Sequence, residues 1–287
     1  MKQLFSYASL LCCALAACVF TSCGDPYEKD KPQFSDIQDL NSPDYRVGLP
    51  LEATAMYKGE TELAKARPSY FNSHHAAYSA LLQEKIEAYV FDSHTLEYVA
   101  AHTPDFEILP GNIGTVDIAI GISPNNATLV SSINDFIDAY KTNGTYKEMY
   151  ARWIQLNNQK NDPYSGAGVP VMPKIEAPAN PTRTLVVGTC SQLAPMCFPA
   201  VNEEGESTLI GFDVELLQRL ARHLNARIEL RDMDYVTLIN KLASGELDLV
   251  VAGLNKTAER EERVLFSKNY IESRIVAMVR TTHTKKK

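Results

Sequence analysis

The amino-acid sequence predicts an α/β protein made of two folded segments. Short apolar runs of strand length alternate with stretches in which apolar residues recur at helical spacing. Continuous apolar runs, such as residues 185–187, are typical of parallel strands that are buried on both faces. A stretch rich in proline and glycine, residues 156–182, separates the two segments, and this composition favours an extended spacer without its own core.

Composition limits the class of partner. The chain has 287 residues, of which 45% are apolar, so it can form one large or two small packed units. The formal net charge of −7 argues against a nucleic-acid partner, because no basic face would release counterions from a phosphate backbone. The basic tail, residues 282–287, is too short to change this conclusion.

The first residues predict export and a lipid anchor. Residues 1–22 combine a positive start with an apolar stretch too short for a comfortable membrane span, as in a cleaved signal peptide. Small residues before Cys23 resemble the lipobox of bacterial lipoproteins, so Cys23 is the predicted lipidation site and a bilayer the predicted partner. Cys18 is a competing site, and an ordinary signal peptide is the alternative. The sequence therefore predicts a lipid-anchored protein of the cell envelope, periplasmic or surface-exposed.

Only two cysteines follow this leader, Cys190 and Cys197. Disulfides persist in an extracytoplasmic compartment, and a bridge between these two would close a small loop. Spacing alone does not fix the geometry, so both the disulfide and the free thiols remain open. Two cysteines without further ligands do not indicate a metal site.

The first folded segment, residues 40–155, follows a polar tether at residues 23–39. Its apolar runs predict strands, and its helical spacing predicts helices. The predicted strands are 46–49, 88–91 and 116–122, and the predicted helices are 75–83, 93–98, 129–140 and 146–153.

The second folded segment, residues 183–281, alternates strand and helix more clearly. An apolar stripe predicts a helix that ends near Asn225, and Gly245 fits the C-cap of a second helix. The predicted strands are 185–187, 228–230, 249–251 and 275–279, and the second helix is 236–243. This alternation predicts a parallel sheet covered by helices.

Four motifs of the second segment, in this order, resemble bacterial extracellular solute-binding proteins of family 3. The motifs are residues 185–189 (LVVGT), 211–216 (GFDVEL), 242–248 (LASGELD) and 257–270, which includes TAER and FSKNY. The resemblance implies a two-lobe, periplasmic-binding-protein-like fold of type II. It also implies a receptor for amino-acid ABC import, with a transporter permease as partner.

The first segment resembles the second half of the same family, so the two halves stand in inverted order. Residues 45–48, 86–92 and 143–153 carry this part of the resemblance. A circular permutation is the favoured interpretation, with the proline-rich linker joining the ancestral ends. Domain ends commonly lie on the surface and close together, which makes such a rearrangement tolerable. The alternative is two unrelated halves from neighbouring modules of a tandem receptor.

Two charged residues are the first candidates for contact with a solute. Thr257 is a natural N-cap that places Arg260 in the first turn of a helix, where a cation needs an anion nearby. The resemblance implies that Arg260 binds the carboxylate of the solute; the alternative is local neutralisation by glutamates 259, 261 and 262. Asp92 ends a strand and by resemblance accepts the α-ammonium, or else it caps the following helix.

The remaining candidates surround these two. Gly253 lets a carboxylate approach the backbone, Asn255 supplies a side-chain hydrogen bond, and Tyr235 packs on the solute or simply in the core. Departures from the family stand at Leu193, where an aromatic residue is usual, and at Glu52 and Ala53, where a Gly-Thr pair is usual. Thr54 is taken with them, and Glu52 points either at a cationic group of the ligand or at solvent.

Other polar residues are read as structural. Asp213, at a predicted N-cap, and Glu215 do not face each other, and His74-His75 reads as a surface pair. The sequence therefore predicts a solute-binding protein without cofactor, metal or catalytic residues. The alternatives are a ligand-free or sensory interaction module and, less favoured, a periplasmic dehydratase-like enzyme on the same fold.

Overall fold

The structure is a computed structural model that describes residues 31–155, 170–201 and 205–284. The predicted signal peptide, Cys18 and Cys23 lie outside these residues. The strands are β1 (Arg46–Pro50), β2 (Arg67–Phe71), β3 (Ala88–Asp92), β4 (Phe106–Ile108), β5 (Thr115–Ile122), β6 (Arg183–Thr189), β7 (Phe198–Val201), β8 (Ser207–Ile210), β9 (Ala226–Asp232), β10 (Leu249–Val250) and β11 (Leu265–Arg280). The helices are α1 (Thr54–Glu62), α2 (His74–Leu82), α3 (Ser93–His102), α4 (Leu129–Thr142), α5 (Thr145–Tyr150), α6 (Phe212–His223), α7 (Tyr235–Ser244) and α8 (Ala258–Glu261).

Nine of these strands form one sheet: eight follow the order β2-β1-β3-β11-β5-β10-β6-β9, and β4 pairs with β11. Strands β1, β2 and β3 are mutually parallel, and so are β6, β9 and β10. We call the part with β6, β9, β10 and helices α4 to α8 lobe A, and the part with β1 to β4 and α1 to α3 lobe B. The predicted α/β architecture with two lobes is confirmed.

The long strand β11 belongs to both lobes. Its first part, from Leu265 to Arg274, pairs antiparallel with β5. Its second part pairs antiparallel with β3, from Ile275 to Val279, and with β4. The sequence predicts only the second part as strand, because polar residues interrupt the apolar pattern of the first.

Helix α1 and the edge strand β2 are absent from the prediction. Helix α1 has no clear apolar stripe, and it contains Gly59, a poor helix former. A side chain at Gly59 would clash with Leu49, since its Cβ would lie 2.4 Å from Leu49 Cδ2. Close packing on β1 therefore holds this helix in place, and such a tertiary contact leaves little trace in the local sequence.

The predicted tether is shorter than expected, because residues 34–40 belong to the folded unit. Phe34, Ile37 and Leu40 are at most 1% exposed. The backbone N–H of Phe34 donates to the carbonyl of His283 at 2.7 Å, and Phe34 forms a parallel bridge with Thr284. His283 is also buried, so the predicted basic tail begins later than residue 282.

The described part of the linker, residues 170–182, contains no helix or strand, as predicted. Ile175, Pro178 and Pro181 lie along α6 and β9, around an apolar groove of about 450 Å³. This part of the linker therefore follows the surface of lobe A.

A buried carboxylate ties α6 to the end of the first segment. Glu215, whose side chain is fully buried, accepts from the guanidinium groups of Arg152 and Arg219 at 2.7 Å each. The indole N–H of Trp153 donates to the same carboxylate at 2.7 Å. The structural interpretation of Glu215 agrees with these contacts, which join residues on both sides of the linker.

Replacing Glu215 tests this tie. We expect Glu215→Gln to lower the free energy of unfolding by about 2–3 kcal/mol, because two guanidinium groups lose a buried counter-charge. Urea unfolding measures the change. The control Glu229→Gln removes the exposed pair with Arg231 and should cost less than about 1 kcal/mol. Equal losses in the two variants would contradict the assigned role.

Candidate functional site

The candidate residues lie where two pairs of parallel strands end, one pair in each lobe. In lobe A, β6 leads to Leu193 and β10 leads to Gly253 and Asn255. In lobe B, β1 leads to Glu52, and Asp92 is the last residue of β3. The carboxyl ends of parallel strands are where α/β folds gather ligand-binding groups. The two sets face each other across a cleft between the lobes.

Arg260 reaches across this cleft. The Thr257 hydroxyl accepts a hydrogen bond from the Arg260 N–H at 3.2 Å, so the predicted cap is confirmed. Arg260 Nη1 donates to the carbonyl of Asn255 at 2.7 Å, and Nη2 donates to the carbonyl of Glu52 at 2.5 Å. The guanidinium also lies 5.9 Å from the centre of the Tyr235 ring. Arg260 is only 9% exposed.

Backbone carbonyls, rather than the neighbouring glutamates, therefore hold Arg260. Glu261 pairs instead with Lys256 at 3.0 Å. Among the described residues, no carboxylate forms an ion pair with Arg260. The described contacts therefore show no local ion pair to Arg260, and its side chain lines the cavity of the cleft.

Asp92 makes the second contact across the cleft. Asn255 Nδ2 donates to Asp92 Oδ2 at 3.1 Å, and the side chain does not cap α3. Asp92 Oδ1 is buried and has no hydrogen-bond partner within the described ranges. Burial raises the pKa of Asp92 to about 7, against the opposing effects of Asn255 and Arg260. One oxygen of Asp92 thus remains available to a donor.

Asp213 fixes the loop that carries Asn255. The backbone N–H of Gly253 donates to Asp213 Oδ2 at 2.8 Å, and the Tyr270 hydroxyl donates to Oδ1 at 2.8 Å. Gly253 has a φ of +56°, which glycine adopts at little cost. The predicted N-cap role of Asp213 is wrong, because Gly211 takes that position and Asp213 is turned into the core.

The space inside the cleft is unevenly divided. Leu193 is 1% exposed, and the cavity that it shares with Asp92 and Gly253 has a volume of about 10 Å³. A larger cavity of about 230 Å³ lies beside Arg260 and is lined by residues of both lobes. Its lining consists of Glu52, Thr54, Tyr57, Tyr235, Val236, Ile239, Asn240, Thr257, Glu259, Arg260 and Arg263.

The turn between β1 and α1 forms the lobe B wall of this cavity. Glu52 is exposed and has a φ of +61°, and Ala53 is the buried N-cap residue of α1 without a side-chain hydrogen bond. The Thr54 hydroxyl has no partner among the residues described. Tyr57 and Glu259 also line the cavity, and the sequence analysis did not select them as contacts. The adjacency of Glu259 to Arg260 was the available signal.

The two cysteines and His74 differ from what the sequence suggested. Cys190 and Cys197 are both buried free thiols, so the possible disulfide is not formed. Burial raises the pKa of both thiols, which keeps them protonated and unreactive. His74 is not part of a surface pair, since it is buried and hydrogen-bonded to the Tyr89 hydroxyl at 2.8 Å.

The described ranges contain neither a metal-binding cluster nor a membrane-spanning helix. No group of three or more His, Cys, Asp or Glu side chains there is placed to hold a metal ion. No helix in the same ranges is long and apolar enough to cross a membrane.

Comparison with known proteins gives matches to the second segment. The sequence pattern of the bacterial extracellular solute-binding proteins, family 3, matches residues 185–286. The arginine-binding extracellular protein ArtP of Bacillus subtilis is 39% identical over 88 residues, which are 31% of this chain and 32% of that protein. The L-cystine-binding protein TcyK of the same organism is 33% identical over 87 residues, 30% of this chain and 31% of that protein. The chain thus spans about a third of the length of these curated relatives.

Solved structures also match about a third of the chain. The arginine-bound form of domain 1 from TmArgBP is 30% identical and covers 34% of this chain and 80% of that chain, with a TM-score of 0.27. The unliganded, open L-cystine solute receptor of Neisseria gonorrhoeae is 26% identical and covers 29% of this chain and 34% of that chain, with a TM-score of 0.25.

The buried Asp213 predicts a pH dependence of stability. Burial raises its pKa from 3.8 to about 7 in the folded protein. As the pH rises from about 4 towards 7, the unfolded chain loses this proton before the folded protein does, so the stability that Asp213 contributes falls. We expect the free energy of unfolding of the wild type, minus that of Asp213→Asn, to be larger at pH 4 than at pH 7.5.

Urea unfolding of both proteins at the two pH values gives this difference. Other titrating groups are common to the two proteins and cancel in the subtraction. A difference that does not change with pH would show that Asp213 keeps its ordinary pKa.

Proposed function

We propose that the chain is a member of the bacterial extracellular solute-binding proteins of family 3, whose pattern matches residues 185–286, and that it captures a small amino-acid-like solute between its lobes. The captured solute is then delivered to an ABC importer. The names of its relatives support this proposal, since they are proteins that bind arginine or cystine. The family consists of receptors, so we propose no catalytic step.

One observation carries the proposal: a buried guanidinium faces an interlobe cavity without a carboxylate partner among the described residues. The Arg260 guanidinium donates to two carbonyls there, and the cavity of about 230 Å³ is adjacent. A solute carboxylate is a stronger acceptor than a carbonyl and can take both guanidinium N–H groups in a fork. It would replace the carbonyl of Glu52. The first turn of α1, which has no side-chain cap, offers further N–H donors.

The second end of the solute is assigned to Asp92. Its Oδ1 is buried, has no partner among the described groups, and belongs to the lobe opposite Arg260. An ammonium near this oxygen would favour the ionised carboxylate and lower its pKa. A zwitterion would then contact both lobes, and its affinity for the closed form would hold the cleft shut.

The anchor and the order of the two halves are further parts of the proposal. We place the lipid on Cys23, with Cys18 as the alternative, so that the receptor stays in the cell envelope. We also propose the circular permutation. It is supported by the contact between Phe34 and His283, which brings residues at the two sides of the proposed cut together.

A second candidate function is an interaction module that binds no solute. Two features favour it: the cavity at Leu193 is only about 10 Å³, and Asn255 already pairs with Asp92 across the cleft. We rank it second because the larger cavity beside Arg260 remains open to a small molecule.

Solute binding can be tested by thermal shift against a panel of amino acids. A solute at a hundredfold excess over its Kd should raise the Tm by about 5–10 °C, because it binds only the folded state. The variant Arg260→Ala should lose this shift. The control Arg231→Ala, which removes an exposed arginine outside the cleft, should keep it. A well-folded protein that responds to no solute would favour the interaction module.

The order of the halves is tested with a rearranged chain. Residues 183–284 are placed first and joined by a short Gly-Ser linker to residues 33–155. Because the N–H of Phe34 lies 2.7 Å from the carbonyl of His283, we expect this chain to fold and to show the same solute-induced shift. Circular dichroism and the thermal-shift assay measure both properties. Failure to fold would contradict the permutation.

A further inference from the structure

The charged side chains that line the cavity beside Arg260 form no ion pairs with one another. Two carboxylates, Glu52 and Glu259, and two guanidinium groups, Arg260 and Arg263, line it. Arg260 is held by carbonyls and by the Tyr235 ring, and Arg263 donates to the Asn240 side chain at 2.6 Å. Neither carboxylate has an ion pair or a hydrogen bond with any other described residue.

The two carboxylates come from opposite lobes. Glu52 follows β1 in lobe B, and Glu259 lies in α8 of lobe A, directly before Arg260. Closing the cleft therefore brings both carboxylates to one cavity, where neither is paired with Arg260 or Arg263, so a further cation placed between them is favourable. A solute that supplies the cation would gain affinity specifically for the closed form.

The aromatic lining is suited to the same group. Partial burial and the carboxylates of Glu259 and Glu52 raise the pKa of the Tyr57 phenol, while Arg260 opposes them. The carboxylates therefore set a negative potential at this wall. Tyr57 and Tyr235 also line the cavity and offer ring faces that attract cations. The Thr54 hydroxyl, without a described partner, adds a hydrogen-bond acceptor.

Glu52 stands at a position where a glutamate has a cost. Its φ of +61° lies in the left-handed region, where a residue other than glycine is strained. A glycine would make this turn without strain. The glutamate side chain, unlike glycine, places a carboxylate at the cavity.

We infer that Glu52 and Glu259 determine specificity, by selecting a solute whose side chain carries an ammonium or guanidinium group. This inference rests on the proposed function, because it assigns the cavity beside Arg260 to the side chain of the captured solute. Arg260 and Asp92 hold the α-carboxylate and the α-ammonium, and the two glutamates hold the second cation.

Isothermal titration calorimetry with four probes tests the inference. L-Arginine and L-citrulline have nearly the same shape but differ in side-chain charge, and L-glutamine and L-glutamate extend the series. We expect the wild type to bind arginine at least about tenfold more tightly than citrulline. The double variant Glu52→Gln/Glu259→Gln should reduce this ratio to about threefold or less. Added salt should weaken arginine binding more than citrulline binding.

The control variant is Glu262→Gln, which removes an exposed carboxylate from the same segment but not from the cavity lining. It should keep the ratio of the wild type. Glutamine replaces glutamate at nearly constant shape, and thermal melting verifies that each variant is folded.

The possible failures are distinguishable. Binding of glutamine, citrulline or glutamate as tight as that of arginine would overturn the specificity inference and leave the proposed function in place. An unchanged preference for arginine in the double variant would overturn the role of the two glutamates. If none of the four probes bound, both the inference and the proposed function would be overturned.

Discussion

The pairing of β11 with strands of both lobes is the constraint on which the cleft depends. Its first part is hydrogen-bonded to β5 and its second part to β3 and β4, so one continuous backbone runs through both lobes. This ladder fixes which strand ends face each other. The turn after β1 and the end of β3 therefore oppose the loop after β10. A change in the length of β11 would displace every contact across the cleft.

The contacts across the cleft are few, polar and buried. The polar groups of a solute can therefore take their place. Arg260 donates to the carbonyl of Glu52, and Asn255 donates to Asp92. A buried polar group is costly without a partner, so each group takes the acceptor or donor that the opposite lobe offers. A charged acceptor binds a guanidinium more strongly than a carbonyl does. A solute carboxylate can therefore replace the carbonyl of Glu52 without leaving Arg260 unsatisfied.

The sequence predicted the elements whose pattern is local and missed those fixed by tertiary contacts. The strands of the second segment, the Thr257 cap and the Gly245 C-cap all follow from short-range signals. Helix α1 does not, because its fit depends on Gly59 packing against Leu49. Arg260, Asn255 and Asp92 lie close together in the structure. The partner of Arg260 in lobe B, however, is a backbone carbonyl 208 positions away, and no residue pattern marks a carbonyl.

Chain order and cleft geometry are separable in this fold. Each lobe takes most of its sheet from one segment, and the other segment adds only the strands that cross between the lobes. The cleft residues are brought together by these crossings, whichever half comes first. A family pattern lists its two halves in a fixed order. In a chain whose halves are interchanged, the pattern can therefore align with only one half at a time. The proposed permutation therefore accounts for a match over residues 185–286 in a protein whose two lobes both contribute to the cleft.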